Sequence, residues 1–598
     1  MEHCLDLIFP ESAPTLGALF QERVRRTPDA TAYRFFDQDS ERWRTLSWNA
    51  LAALVARCQA ALLREQLQPG DRVALMLKNC PEWVMLDLAA QGLGLVTVPL
   101  YTADRPENVA HVLGDSGARL LLIDSVSHWK PLQEACASLD ALSRIVAVRD
   151  TETAGDPRLC SLDQWLPAAG ALQPPAAAAG DLATIIYTSG TTGKSKGVML
   201  SHRNILENCR GILHSFDIYT DDRFFSFLPL SHTFERTAGY YLPMMAGASV
   251  TYARSFQQLQ EDLIQARPTI LMSVPRIYER IHAALRHKLA KGPAYAARLF
   301  QLAVSVGYSR FLRQQGRGPW RPGMLLWPLL KRLVADKLAG QLGGAIRIAV
   351  SGGAALPPET AKIFIGLGIT VLQGYGLTET SPVISVNRPE DNLPESVGTP
   401  LDCVETRLSA IGALQVRGPC NMLGYWNNPE ATHAILDENG WLDTGDVVRI
   451  DAAGHITITG RVKEIIVLSN GEKVPPVDME SAILSDSLFE QVIVVGEGQT
   501  HLAALAVVNR ELWQQLMQQQ GWTMDWPAGL DHPQARTIAA HRIAQQIQAF
   551  PGYAKVRRVA LLAEPWTVEN GLLTPTLKLK RNAIIAQHRA QYDALFSL

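Results

Sequence analysis

Cysteine is sparse in this 598-residue chain. Its eight thiols (Cys4, Cys58, Cys80, Cys136, Cys160, Cys209, Cys403 and Cys420) are scattered, and no two stand in a C-x-x-C spacing. The spacing excludes a zinc ribbon and a dithiol redox motif, and it favours a reducing compartment. Net charge is nearly absent too: 56 Lys and Arg against 58 Asp and Glu leave −2. No global field gathers nucleic acid, so any anionic partner needs a local site. Long hydrophobic runs are missing. The most apolar stretch, 81–100, is broken by Pro81, Glu82, Asp87, Gln91, Gly92 and Gly94, too often to span a bilayer. The opening MEHCLDLIFPES has no basic segment leading into an apolar one, so no signal peptide is expected. No repeat of 20–50 residues is visible. What is present is 47% apolar and 19% charged residues, enough to bury a large core. The length suits about four units of ~150 residues, or one large domain with a smaller one.

Residues 1–180 alternate helical and strand-like runs. Apolar residues at helical spacing fill 51–63, and 72–77, 120–123 and 145–148 read as short buried strands. This alternation predicts a mostly parallel, helix-covered sheet. The segment 167–180, PAAGALQPPAAAAG, is a low-complexity linker. More βα units follow in 344–460. Beyond about residue 462 the pattern becomes a smaller α+β unit, with strands at 491–495 and 502–508 and helices near 511–519 and 534–549. The expected architecture is α/β: a large multi-subdomain N-terminal domain with helix-covered sheets (1–462) and a small mobile α+β domain (463–598).

The sharpest motif is YTSGTTGKSKGVMLSH at 187–202. Four hydroxyl side chains (Thr188, Ser189, Thr191, Thr192), Gly190 and Gly193 follow a strand, with Lys194 and Lys196 beyond. Glycines let backbone N–H groups converge and hydroxyls add donors, so such a loop wraps phosphate oxygens. It is not a Walker A loop, whose first glycine would fall at Thr188. An ordinary polar hairpin needs only about two turn residues. The run is followed by a strand at 197–200 and a helix with Ile205, Cys209, Ile212, Leu213 and Phe216 on one face.

That loop resembles the signature of the adenylate-forming superfamily, and further blocks resemble the family's others in order. They are SGGAAL (351–356), QGYGLTET (373–380), GWLDTGD (440–446), GRVKEIIVLSNGEKV (460–474) and LTPTLKLKRN (573–582). The resemblance implies an ATP site built from Thr188, Ser189, Gly190, Thr191, Thr192, Gly193, Lys194, Gly352, Gly353, Gln373, Gly374, Tyr375, Gly376, Thr378, Asp446, Arg461 and Lys578. Thr188 and Glu379 would hold Mg²⁺, and Lys578, Glu379 and Thr188 would carry the catalysis. Lys463 would be the hinge and Gly471 would line a CoA channel. The residue types suit the chemistry. Joining a carboxylate to the α-phosphorus of ATP brings two anions together, which cations and a metal must neutralise. Glu379 is a hard oxygen ligand, though alone it reads as an acid at a helix N-terminus. Asp446 reads alone as a turn residue, Arg461 as a surface ion pair and Lys578 as a solvated lysine. Ser195 stands where many members have Pro, Leu577 where many have Gly, and Gly460 where many have Asp.

The blocks FLPLSHTFER (227–236), SVPRIYERI (273–281) and 439–483 resemble the long-chain fatty acyl-CoA synthetase group. That resemblance implies an apolar tunnel with His232 and Phe234 near its mouth, fatty acid, ATP and CoA as partners, and no nucleic acid. Residues 286–337 carry eleven Lys and Arg against one acid, Asp336, with Trp320, Trp327 and many leucines interleaved. This is the composition of a helix at an anionic membrane surface; the alternative is a solvated helical pair packed on the domain. The implied activity is a ligase forming acyl-adenylate and then acyl-CoA in the cytoplasm, with peripheral contact at the inner membrane face. A fatty acyl-AMP ligase serving a carrier protein, a CoA ligase for another carboxylic acid, and a silent nucleotide- or lipid-binding adaptor are the rivals.

Overall fold

The computed structural model describes residues 4–149, 155–188, 195–470, 472–522, 526–552, 554–574 and 579–597. The chain divides into two compact units. One comprises 1–407, 415–444 and 450–457; the other comprises 408–414, 445–449 and 458–598.

Among the described residues the first unit holds two large sheets. The eight-stranded sheet runs in the order Gly424–Tyr425, Lys196–Ser201, Leu182–Thr188, Val96–Pro99, Arg72–Met76, Leu120–Ser125, Arg144–Arg149, Leu159–Ser161. Its strands from Leu182–Thr188 to Leu159–Ser161 pair in parallel. They read as continuous apolar runs because helices cover both faces of such a sheet. The strands Leu182–Thr188 and Lys196–Ser201 pair antiparallel, Thr188 opposite Lys196, so the Gly/Ser/Thr run is the connection of a hairpin. It is far longer than a two-residue turn, and its residues 189–194 lie outside those described. The nine-stranded sheet has Ile270–Ser273, Ile348–Ser351 and Val371–Gly376 side by side and parallel. Its edge then turns antiparallel through Val383–Val386 and Thr399–Pro400.

A buried ion pair fastens the first unit. Arg236 pairs with Asp87 of the helix Pro81–Gly92 and donates to Thr184 Oγ1 and Thr97 Oγ1, each at 2.6 Å. Tyr241 Oη donates to Asp87 at 2.6 Å and Tyr240 Oη at 3.0 Å. Such a pair is held by its extra hydrogen bonds, since desolvation opposes the Coulomb gain. It ties the FLPLSHTFER segment to the strand that leads into the phosphate-type loop.

The basic segment is helical: Pro275–Lys291, Ala294–Gln314 and, after a 3-10 turn, Trp327–Leu330 and onward to Gln341. One face packs inward. Ala303, Val304, Val306, Trp327 and Leu330 join a core cluster with Phe364 and Ile365. Gly307 is required there, because a Cβ would fall onto the Gly366 carbonyl oxygen of the neighbouring helix. The other face carries exposed Trp320, Leu325, Leu326, Leu329 and Leu333. The packed face agrees with the expectation of a helical pair on the domain. Among the described residues no helix is long and apolar enough to cross a membrane.

The second unit contains a three-stranded sheet of Phe489–Val495, Leu502–Val508 and Val556–Leu562. Leu502–Val508 is central and buried along its whole length. Helices Pro476–Ile483, Arg510–Gln519 and Pro533–Gln546 accompany it, and Met479, Trp513 and Ile543 share one core cluster with its strands. Arg581 pairs with the buried Glu480.

Candidate active site

Two groups of candidate residues are assembled, one in each unit. In the first, Thr188 ends its strand opposite Lys196. The next strand over, Gly424–Tyr425, pairs antiparallel with Lys196–Ser201, Tyr425 opposite Val198. That register sets Lys196 Nζ 5.0 Å from the Tyr425 ring centroid, within cation–π range. Tyr425 Oη donates to Glu379 Oε1 at 2.7 Å, and the Met422 N–H donates to the Glu379 carbonyl at 2.8 Å. Burial and the Glu379 carboxylate push the Tyr425 phenol well above its ordinary range, so it stays a donor. Glu379 sits on the 3-10 turn Thr378–Thr380, half-buried, with Thr378 beside it. Tyr425 was invisible to sequence reasoning. Nothing local in a Gly-Tyr-Trp run points to a carboxylate, and only strand pairing brings it there.

The glycine-rich blocks border the same region. Gly352 is buried and Gly353 exposed at the end of Ile348–Ser351. Gly353 has φ +82°, a conformation glycine adopts without strain. A Cβ at Gly352 would approach the Phe234 ring at 3.3 Å, so the SGGAAL block and the acyl-motif phenylalanine are in contact. The His232 ring accepts from Phe234 N at 3.2 Å and so shapes its own turn. Gln373 was expected at the nucleotide, but its amide is engaged within the protein. Oε1 accepts from Leu356 N at 3.0 Å and Nε2 donates to Pro394 O. Gly374 and Gly376 flank the half-buried Tyr375 in the strand Val371–Gly376. At Gly376 a side chain is excluded by the Pro382 carbonyl, a backbone approach in addition to any clearance for a base.

The second group lies in the second unit. Arg461 Nε donates to Asp446 Oδ1 at 2.6 Å, with Asp446 buried and Arg461 half-exposed. Gly445, before Asp446, has φ +69°. Lys463 falls in the 3-10 turn Val462–Glu464. Ser189, Gly190, Thr191, Thr192, Gly193, Lys194, Gly471 and Lys578 lie outside the described residues.

As for a metal, no group of three or more His, Cys, Asp or Glu is gathered among the described residues. Glu379, oriented by Tyr425, is one carboxylate with the Thr188 strand end in the same cluster. That donor chemistry fits Mg²⁺, which binds through one or two carboxylates while keeping waters and substrate phosphates.

Helix-covered, mostly parallel sheets and a separate small α+β unit are shared with solved structures. ATP-bound MatB from Rhodopseudomonas palustris matches with a TM-score of 0.72 at 22% identity, covering 97% of this chain and 100% of that one, a likeness of fold. A family model described as AMP-binding enzyme matches residues 20–426, and one described as AMP-binding enzyme C-terminal domain matches 463–596. The chain belongs to this AMP-binding, adenylate-forming family. It is 31% identical over 593 residues to the long-chain-fatty-acid–CoA ligase FadD15 of Mycobacterium bovis, covering 97% of each. It is 30% identical over 466 residues to the long-chain-fatty-acid–[acyl-carrier-protein] ligase AEE15, chloroplastic, of Arabidopsis thaliana, covering 70% of this chain and 62% of that protein.

Proposed function

We propose that the protein is an ATP-dependent ligase that converts a long-chain fatty acid to its acyl-adenylate, releasing pyrophosphate, and then to acyl-CoA, releasing AMP. The observation that carries this is the cluster of Thr188, Lys196, Tyr425 and Glu379, drawn from the two strands flanking the phosphate-type loop, the adjacent strand Gly424–Tyr425 and the turn Thr378–Thr380. The likeness to FadD15 along 97% of both chains supports the acid and the acceptor.

In this reading Thr188 and the 189–194 loop hold the β- and γ-phosphates. Glu379 and Thr188 hold Mg²⁺, which supplies charge neutralisation at the phosphate oxygens. Tyr425 keeps the carboxylate aimed. Asp446 accepts from the ribose hydroxyls and Arg461 backs it. Phe234 against Gly352 lines the route of the acyl chain. Lys578 offsets the repulsion between carboxylate and α-phosphate, the role a compact cation on a flexible stem suits. The second domain, 463–598, then turns about Lys463, and Gly471 lines the thiol's path, where a side chain would block a thin chain. A carrier protein in place of CoA is the second reading, favoured only by the likeness to AEE15.

We further infer peripheral binding to anionic bilayers through the basic segment. Its exposed leucines and Trp320 stand among exposed Arg321, Lys331, Arg332 and Lys337, an arrangement suited to headgroups and acyl chains together. The function is tested by AMP formation from ATP with acetate, octanoate, palmitate, oleate and an aromatic acid, each with CoA and no carrier protein. AMP with palmitate or oleate, dependent on CoA, is expected. AMP formation only with a short or aromatic acid, or only on adding carrier protein, would overturn the reading.

A further inference from the structure

Cys403 and Cys420 are 17 positions apart and look unrelated in the sequence, but the fold brings their sulfurs to 3.6 Å. Both are free thiols; Cys420 is buried and Cys403 half-buried. The pair is wedged behind the Glu379 turn. Ser381 Oγ donates to the Cys420 carbonyl at 2.8 Å, and two residues on Met422 N donates to the Glu379 carbonyl at 2.8 Å. On the other side the helix His202–Leu213 closes in. Asn208 accepts from Val383 N at 3.1 Å and donates to Val383 O at 2.7 Å. A Cβ at Gly211 would approach Cys403 Sγ at 3.1 Å. The 420–422 segment therefore connects the thiol pair to the backbone of the turn that carries Glu379.

We propose that Cys403 and Cys420 are a peroxide-sensitive dithiol whose reversible disulfide slows adenylation by shifting the Glu379 turn. The Cys403 sulfur attacks one oxygen of hydrogen peroxide and the O–O bond breaks, giving a sulfenic acid and water. The Cys420 sulfur then attacks that sulfur, forming the S–S bond and expelling a second water. Two thiols are oxidised by two electrons, the peroxide is reduced, and both thiol protons leave in water. The roles follow from the surroundings. Cys403 is the less buried of the two, and the Cys420 thiol beside it holds the Cys403 thiol below the ordinary range; the same contact and burial raise Cys420. A nucleophilic thiol with a resolving partner in contact is the arrangement that favours disulfide over further oxidation. Closing the sulfurs from 3.6 Å to a bond of about 2.05 Å draws the 420–422 backbone with it. A displacement of about 1 Å in a site of this kind can cost up to about 10²-fold in rate.

The covalent half stands on the geometry alone; the effect on rate rests on the proposed function. Full-length protein is titrated with hydrogen peroxide, alkylated and analysed by mass spectrometry, alongside pyrophosphate release from ATP and palmitate. The expected result is a Cys403–Cys420 cross-linked peptide, lighter by two hydrogens. Pyrophosphate release should fall in step with it, by tenfold or more (an effect on the scale above), and dithiothreitol should remove the cross-link and restore the rate. Cys403→Ser and Cys420→Ala, each checked for folding, should form no cross-link and keep their rate at the same dose. Higher oxides of Cys403 without the cross-link would overturn the dithiol. A complete cross-link with unchanged rate, or variants as peroxide-sensitive as the parent, would overturn the switch. Absence of pyrophosphate release before oxidation would fault the proposed function instead, and the cross-link would still be scored.

Discussion

Glu379, the carboxylate proposed to receive magnesium, accepts a hydrogen bond from Tyr425 Oη at 2.7 Å, which fixes its direction. Glu379→Gln keeps the shape but offers the metal no charge. It should fold normally and lose about 10²–10³-fold in palmitate-dependent pyrophosphate release. Tyr425→Phe removes one hydrogen bond to a charged group and should cost about tenfold, with a raised Mg²⁺ requirement in the same assay. A wild-type Mg²⁺ profile for both would contradict the assignment. A second carboxyl, Glu235, is fully buried beside Gly239, and burial lifts it to about 8, partly opposed by the Ser226 hydroxyl. Its folded value lies above the unfolded one, so the native state holds a proton that the unfolded state gives up. Stability should therefore fall as pH rises from about 4.5 towards 8, at up to about 1.4 kcal/mol per pH unit. Urea midpoints between pH 5 and 8 should fall less steeply for Glu235→Gln than for the parent. Thr188 and Glu379 stood out as candidates in the sequence because hydroxyls, glycines and an acid cluster in local blocks. Tyr425 and the Cys403–Cys420 contact were not, because both arise from chain segments that meet only on folding.

At the scale of elements, the parallel strands were readable as short apolar runs between helices; the strand expected over 72–77 ends at Met76, and those expected at 120–123 and 145–148 lie within Leu120–Ser125 and Arg144–Arg149. The pairing of Leu182–Thr188 with Lys196–Ser201 was less so, since antiparallel return depends on the loop's path and not on its composition. The basic segment shows the limit of patterning most clearly. Its leucines are equally apolar, but Leu330 is buried while Leu325, Leu326, Leu329 and Leu333 are exposed. Only the helix against which it packs decides which are which. The exposed set makes a specific prediction. The protein should sediment with phosphatidylserine-containing vesicles at low salt and less at high salt, since each basic residue near such a surface is worth about 1 kcal/mol and is screened. Leu325→Ser with Leu329→Ser should weaken binding without changing AMP formation from detergent-dispersed palmitate. Binding indifferent to salt and to both substitutions would contradict the membrane role.

For the whole molecule, the division into two units and the ordered blocks suggest a reaction carried out in two stages by one chain. The proposed roles of Lys578 and Gly471 should separate those stages. Lys578→Ala should lose adenylation yet still convert supplied palmitoyl-adenylate and CoA to palmitoyl-CoA, because thioester formation starts from a neutral carbonyl. Gly471→Leu should make adenylate and then stall. Equal loss of both stages in the lysine variant would contradict a rotation that removes it from the second. Chain-length preference was not legible, since the floor of a tunnel for the acyl chain would be set by packing between distant segments. A fatty acid activated on ATP before any thiol takes part should return pyrophosphate to ATP without CoA. The most direct measurement is the exchange of labelled pyrophosphate into ATP by the full-length protein, with magnesium and palmitate but no CoA. Exchange should require both palmitate and magnesium and stop when either is withheld. Exchange that proceeds without the acid, or that needs CoA to begin, would contradict activation of the acid ahead of the thiol.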